Sequence, residues 1–356
     1  MTLVVDMLPA KYGDALLVTW GSTRKPHRML IDAGLSSAFP AVKAKLEEFR
    51  GDIDLLVVTH VDTDHIGGAV KLLRDETLVP RINEVWFNGF QHLEKFKDLL
   101  GPLDGERLSA LIRSTGLRWN SGWPDPVDDV VGGPVVCRDV PPVVKLPGGA
   151  TLTVVGPSPQ KLADLLPKWR DVIERAGLVN GVEPKEEEPD TSGRGMLGVS
   201  LADLADARFE RDDAEANGSS IAFVFEHKKK RILFAGDAHE DTLLASFAAL
   251  AGPGNSYSLD ACKLPHHGSR RNVSKALVKA LDCDQWWFSS SGSRFHHPND
   301  EAIARVVCFG GRTPHLVSNY RSERWKSFTD AYPAADHGYT LTQPDEGTEG
   351  ITVTLG

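Results

Sequence analysis

Short apolar runs alternate along this chain with stretches whose apolar positions recur at helical spacing. Runs rich in Val, Ile, Leu and aromatic residues predict strands near 2–8, 15–20, 28–32, 54–59, 84–88, 151–155, 220–226, 231–235, 259–264 and 285–289. Spacings of three and four predict helices near 41–49, 68–74, 91–100, 105–115, 160–176, 239–250, 273–281 and 299–307. Strands joined by turns at the start, followed by strands alternating with helices, predict an α/β fold of two mixed sheets between helical layers. Within it, Ile221–Phe225 and Arg231–Ala235 flank His227-Lys228-Lys229-Lys230, which reads as a solvated hairpin turn.

Two stretches break the alternation. Residues 116–150 are rich in Gly, Pro and Val, with Trp123-Pro124-Asp125-Pro126 and Pro141-Pro142, and are expected as a long loop crossing the surface. Residues 157–216 open with a helical pattern through Leu162, Leu165, Leu166, Trp169 and Val172. They then lose it in Glu183-Pro184-Lys185-Glu186-Glu187-Glu188-Pro189-Asp190, a charged, Pro-flanked run expected to be mobile and to suit contact with a protein partner.

At 356 residues and 41% hydrophobic content, the chain can bury a full core as one domain with insertions or as two domains. A net charge of −9 excludes a protein that coats nucleic acid through a basic face, although not a nuclease, whose cations reverse the local field. Cys137, Cys262, Cys283 and Cys308 lack C-x-x-C spacing, so neither a disulfide framework nor a zinc ribbon is indicated. With no basic-then-apolar leader and no span-length apolar run, a cytoplasmic protein without membrane contact is expected. Trp86, Trp119, Trp286 and Trp287 read as core residues rather than base-stacking platforms.

The chemistry concentrates in His60-Val61-Asp62-Thr63-Asp64-His65, delivered by the buried strand Asp54–Thr59 and followed by Ile66-Gly67-Gly68. Imidazole and carboxylate groups at i, i+2, i+4 and i+5 of a turn can point into one space, a donor set suited to Zn, Mn or Fe(II). The alternative is a polar turn whose Asp caps a helix starting near Gly68, which leaves both His unexplained. Asp237 ends the strand before it as His60 does, and again a helix cap is the plainer alternative. His266-His267-Gly268-Ser269 leaves a third strand end, and His296-His297-Pro298 stands before Asn299, itself a good cap.

His60-x-Asp62-x-Asp64-His65 resembles the His-x-His-x-Asp-His signature of the metallo-β-lactamase superfamily, with Asp62 in place of the second His. Further segments resemble the ComEC-like branch in the same order: Tyr12-Gly13-Asp14-Ala15, Leu30-Ile31-Asp32-Ala33-Gly34, Asn217-Gly218-Ser219-Ser220, Ala235-Gly236-Asp237, Lys263–Ser269 and His297-Pro298. The resemblance implies an αββα sandwich, a single domain over 1–356 with insertions at about 116–150 and 157–216, and a dinuclear metallo-hydrolase. It implies two divalent ions, Zn or Mn foremost, then Mg or Fe. His60 and Asp62 would hold one ion, Asp64, His65 and His266 the other, and Asp237 would bridge them, with a metal-bound hydroxide attacking the substrate. Asp62 makes the first position richer in oxygen, and Asn217 stands where many relatives have a third His.

On that reading His267 and His297 contact substrate or move protons, and Asp14 and Asp32 support the ligands; Arg270, with Arg271, is expected to clamp phosphate from its nearness in sequence to the His pair alone. The expected activity is a phosphodiesterase or nuclease acting on nucleic acid or a nucleotide. Alternatives are a hydrolase of thioesters, lactones or lactams, and a metal-stabilised subunit of a bacterial defence or signalling assembly.

Overall fold

The computed structural model describes residues 3–94, 107–178 and 198–356. Fifteen strands among them form two sheets. In chain order, the first sheet contains β1 (Leu3–Met7), β2 (Leu16–Ser22), β3 (Lys25–Ile31), β4 (Leu55–Val57), β5 (Glu84–Trp86) and β6 (Arg118–Trp119). The second contains β7 (Val143–Lys145), β8 (Thr151–Gly156), β9 (Ala222–His227), β10 (Lys230–Phe234), β11 (Tyr257–Lys263), β12 (Leu281–Phe288), β13 (His315–Ser318) and β14 (Thr340–Thr342). β15 (Ile351–Leu355) returns to the first sheet and pairs antiparallel with β1.

Each sheet is half meander and half parallel. β15, β1, β2 and β3 run antiparallel, whereas β3, β4, β5 and β6 are parallel neighbours. In the second sheet β7 to β10 are antiparallel and β10 to β14 parallel. The hairpin expected around Lys228 and Lys229 is present, and both residues take positive φ (51° and 68°), the primed-turn geometry that matches strand twist.

Alternating side chains divide the interior into layers. Met29, Ile31, Leu55, Val57 and Trp86 meet Val154, Phe223, Phe225, Phe234 and Trp287 between the sheets. Leu30, Leu56 and Val85 face the other way, against helices that include Phe39–Glu47, Thr63–Leu72 and Pro159–Leu165. Leu233, Cys262 and Trp286 likewise face Glu240–Ala251, Lys275–Ala280 and Asp300–Phe309. This is the expected αββα sandwich. The four Trp residues read as core are all buried.

Residues 116–150 are not the surface loop that their composition predicts. Trp119, Trp123, Val131, Val135 and Val136 are buried, and the stretch supplies β6 and β7, the last strand of each sheet. The Gly and Pro residues mark turns between these short edge strands. The helix expected over 160–176 divides into Pro159–Leu165 and Trp169–Arg175 around a tight turn at Leu166–Lys168, because Pro167 lacks the N–H that a continuous helix requires. Parts of the helices expected at 91–100 and 105–115, and the whole Glu183–Asp190 run, lie outside the described residues. No helix among the described residues is long and apolar enough to cross a membrane.

Candidate metal centre

The parallel strands of both sheets end at one edge of the sandwich, where open sheets present loops to a ligand. β3 leads to Asp32, β4 to Thr59 and His60, β10 to Asp237, β11 to Lys263 and the His266-His267 pair, and β12 to Ser289. The helix after β4 begins at Thr63, earlier than the expected Gly68, and Asp62 holds its N-cap position without a side-chain capping bond. The capping account of that Asp therefore fails, and its carboxylate reaches to 3.5 Å from His60 Nε2.

Four imidazoles converge on one atom. The Nε2 atoms of His60, His65, His266 and His267 lie 3.9, 3.4, 3.8 and 3.7 Å from Asp237 Oδ2. Asp64 Oδ2 joins from one side, 3.5 Å from His267 Nε2 and 3.9 Å from His65 Nε2. Except for His266, which is a quarter exposed, these imidazoles are closed off from solvent.

The other ring nitrogen of each imidazole meets an acceptor, which fixes the tautomer. His65 Nδ1 donates to Asp32 Oδ2 at 2.8 Å, and His267 Nδ1 to the Ser289 carbonyl at 2.8 Å. His60 Nδ1 is 3.0 Å from Thr59 Oγ1, whose own hydrogen goes to Asp32 Oδ2 at 2.7 Å. His266 Nδ1 is 3.0 Å from Asn272 Oδ1. With every Nδ1 protonated in this way, four Nε2 lone pairs face a carboxylate oxygen and one another, and His65 Nε2 stands only 3.2 Å from His267 Nε2.

Lone pairs do not bond to lone pairs, so this arrangement calls for positive charge at its centre. Burial opposes ionisation of Asp237, yet the imidazoles of His65, His267 and His266 hold its carboxyl well below the usual range. Conversely, burial lowers His65, but Asp237, Asp64 and Asp32 outweigh it and raise the imidazole well above its ordinary value. Lys263 is fully buried nearby and is already ion-paired with Asp14. Its charge is therefore committed to a different carboxylate. His60 Nε2, Asp237 Oδ1 and Asn217 Oδ1 are buried without a hydrogen-bond partner, an expensive condition for polar atoms unless something binds them. The donor set, nitrogen and oxygen with no thiolate, fits a divalent ion such as Zn or Mn.

Asp14, His65, Asp237 and His267 offer ligand atoms that all lie within 4.8 Å of one another. Asp14 approaches His267 from the Nδ1 side, at 3.4 Å, while Asp64 and Asp237 approach Nε2. Asp14 thus orients the ring from behind, and Asp64 is the better ligand.

Both residues of the His pair face the cluster, whereas the expectation gave only His266 to a metal. His267, expected to touch substrate, packs Nε2 to Nε2 with His65, while His266 turns toward Asn217 and Asn272. The reason is the backbone. Both residues take left-handed φ (48° and 54°), so strand alternation does not carry into the turn. Asp32 shares this conformation at φ 54°, and such strain in three ligand or ligand-holding residues marks a functional site.

His297 is buried beside the cluster, its ring centroid 5.0 Å from His266 and 6.4 Å from His267. Burial, reinforced by those two imidazoles, pushes it well below its ordinary pKa, so it stays neutral, and its Nδ1 has no partner. Asn299 does not cap the following helix with its side chain; its Oδ1 accepts from Arg270 N. Arg270 and Arg271, expected to clamp phosphate, turn elsewhere: Arg270 to Glu301 at 3.4 Å, Arg271 to Asp213 at 2.7 Å and the Arg211 carbonyl. The cation on the His297 loop is Arg294, bonded to Tyr12 Oη at 2.8 Å and stacked on the rings of Tyr12 and Phe295. Arg294, Asn272 and Asp212 gave no signal in the sequence, and Lys263 stood there only as the first residue of the Lys263–Ser269 segment, with no role assigned.

Residues 13–158 match the family model of the metallo-beta-lactamase superfamily, a span that begins one residue before Asp14 and includes the His60–His65 cluster. The match covers less than half of the chain, and the two-sheet architecture agrees with the α/β sandwich fold of that superfamily, here with a candidate metal centre at the strand ends. No curated protein matches the chain. Among solved structures, a mutant of CmlA beta-hydroxylase aligns at 13% identity and TM-score 0.41, over 98% of this chain and 54% of that one. The chain therefore spans about half the length of that neighbour. A protein of unknown function from Enterococcus faecalis aligns at 10% identity and TM-score 0.31, over 96% of this chain and 88% of that one.

Proposed function

We propose that this chain is a dinuclear metal-dependent phosphodiesterase acting on nucleic acid or a nucleotide, organised as one domain with insertions. The observation that carries the metal reading is the convergence of four Nε2 lone pairs on Asp237 Oδ2, with their tautomers fixed from behind. His65, His267 and Asp64 would hold one ion, His60, Asp62 and His266 the other, and Asp237 would touch both. When bound, divalent ions supply Lewis-acid polarisation of a phosphoryl oxygen and an acidified water.

The chain's own residues supply the remainder. Neutral His297, buried beside His266 with its Nδ1 unpartnered, would exchange a proton with a substrate oxygen. Arg294, on the same loop and held by Phe295 and by Tyr12 from the N-terminal segment, would offer a guanidinium to a phosphate oxygen. The phosphodiester preference rests on these two groups and on the ComEC-like motif order.

The test is hydrolysis of an aryl phosphodiester by metal-stripped protein resupplied with Mn, Zn or Mg, with Asp237→Ala and a thioester substrate run in parallel. Metal-dependent phosphodiester cleavage that Asp237→Ala abolishes supports the reading. Thioester cleavage alone would transfer it to acyl chemistry.

A further inference from the structure

Asp212 belongs to the 157–216 stretch expected as an insertion, in the charged run Glu210-Arg211-Asp212-Asp213, yet its side chain is 5% exposed. Three donors converge on its Oδ2: Asn217 Nδ2 at 2.8 Å, Asn272 Nδ2 at 2.9 Å and His266 Nδ1 at 3.4 Å. Each bond has a consequence on the far side of its donor. Asn217, giving its amide hydrogen to Asp212, must turn Oδ1 the other way, and that oxygen is buried and unpartnered. His266, giving its Nδ1 hydrogen to Asn272 Oδ1 and Asp212, presents a bare Nε2 to Asp237. Asn272, held by Asp212, also donates to the carbonyls of Asp237 and Ala238 and so ties the loop carrying the central carboxylate.

The segment itself is fastened into place. Asp212 N bonds to the Arg271 carbonyl at 3.0 Å, Arg271 binds Asp213 and the Arg211 carbonyl, and the buried Arg305 holds the Ala207 carbonyl at 3.0 Å. The other ligands are oriented from elsewhere: His65 by Asp32, His60 through Thr59, and His267 by Ser289 and Asp14.

We propose that Asp212 is a positioning residue that aims His266 and Asn217 at one of the two ions, so that this ion alone depends on the 207–213 segment. The inference rests on the two-ion reading above. It makes the two positions separable: one is built by strand ends of the core, and the other is completed by a carboxylate lent from the 157–216 stretch.

The experiment titrates the metal-stripped full chain with Co(II), reading stoichiometry by calorimetry and ligand field by visible absorption, for wild type, Asp212→Ala and Asp212→Asn. Wild type should take two ions. In both variants one ion should keep its affinity within threefold, and the other should weaken by about 10–100-fold, the range for loss of a partner that orients a ligand. The absorption change on adding the second equivalent should shrink accordingly. The isosteric Asn variant keeps the fold if Ala does not, since it removes the charge and one acceptor without opening a cavity. Two ions retained at unchanged affinity in a folded variant would overturn the role of Asp212, as would equal weakening of both. Wild type binding fewer than two ions would overturn the two-ion reading itself, and the inference with it.

Discussion

Replacing Asp32 with Asn changes one atom and should dismantle two ligands. Asp32 is fully buried and accepts three hydrogen bonds: Thr59 N at 2.8 Å on Oδ1, and Thr59 Oγ1 at 2.7 Å with His65 Nδ1 at 2.8 Å on Oδ2. An Asn whose oxygen still receives Thr59 N–H places its NH2 against the other two donors. The strain is relieved only if His65 moves its proton from Nδ1 to Nε2, the atom that faces Asp237, and if Thr59 reverses its hydroxyl toward His60. Both imidazoles then present N–H where a lone pair is needed. Losing a hydrogen bond to a charged group costs about 1.5–3 kcal/mol, which corresponds to roughly 10–100-fold in metal affinity, the range seen when a group that orients a ligand is changed. The assay is competition of the stripped protein with a chromophoric chelator for Zn, alongside circular dichroism to confirm folding. Asp54→Asn, which alters the carboxylate paired with His27 at 3.2 Å outside the cluster, serves as control. If folded Asp32→Asn binds Zn within threefold of wild type, or if Asp54→Asn loses as much, the tautomer argument is wrong.

Gly13→Ala would place a Cβ 1.8 Å from the Asp64 carbonyl oxygen, so the loop carrying Asp64 must shift. We expect Zn affinity to fall at least about tenfold in the same competition assay, against the usual overpacking cost of about 1–3 kcal/mol in stability. Arg305→Met leaves three carbonyls, of Ala207, Arg270 and Val273, without their buried donor, and should lower unfolding free energy in urea by about 3–5 kcal/mol. Arg294→Ala should raise KM for a phosphodiester about tenfold with kcat changed less than threefold; the reverse split would remove Arg294 from substrate binding. His92 is buried, with Nδ1 accepting from Gly89 N, and burial pushes its pKa down from 6.5 to about 3. The unfolded chain therefore binds a proton between those values that the folded chain refuses. The contribution is fully present above pH 6.5, and is lost as pH falls toward 3. Going to pH 5 should cost about 2 kcal/mol. Urea midpoints at pH 7.5 and 5 should converge in His92→Gln, and an unchanged gap would refute the assignment.

The apolar runs made the central strands legible because burial on both faces leaves a continuous hydrophobic signature. β13, β14 and β15 lacked it: they are short, lie toward sheet edges, and β15 owes its place to pairing with β1 at the far end of the chain. No local pattern encodes such a partner. At the site, the His60–His65 spacing and Asp237 were legible because each follows an apolar strand. That His267 faces the cluster together with His266 was not, because it depends on two left-handed residues that strand periodicity does not anticipate. Asp212 was illegible for another reason. A charged run such as Glu210–Asp213 is ordinarily a solvated surface, and only the fold reveals that one of its carboxylates is turned inward.

The positive charge that this centre demands could come from protons or from cations, and the geometry distinguishes them. A proton bridges two atoms. One placed between His65 Nε2 and His267 Nε2, 3.2 Å apart, would satisfy that pair and nothing else. His60 Nε2, Asp237 Oδ1 and Asn217 Oδ1 would stay buried and unpartnered. A divalent ion accepts four or more donors at once, and needs the lone pairs that Asp32, Thr59, Asn272 and Ser289 expose by binding the opposite nitrogen of each ring. A site evolved for protons has no use for four tautomers fixed the same way. The uniform orientation of His60, His65, His266 and His267 is therefore the physical reason to read this edge of the sandwich as a place for metal ions rather than as a buried polar network.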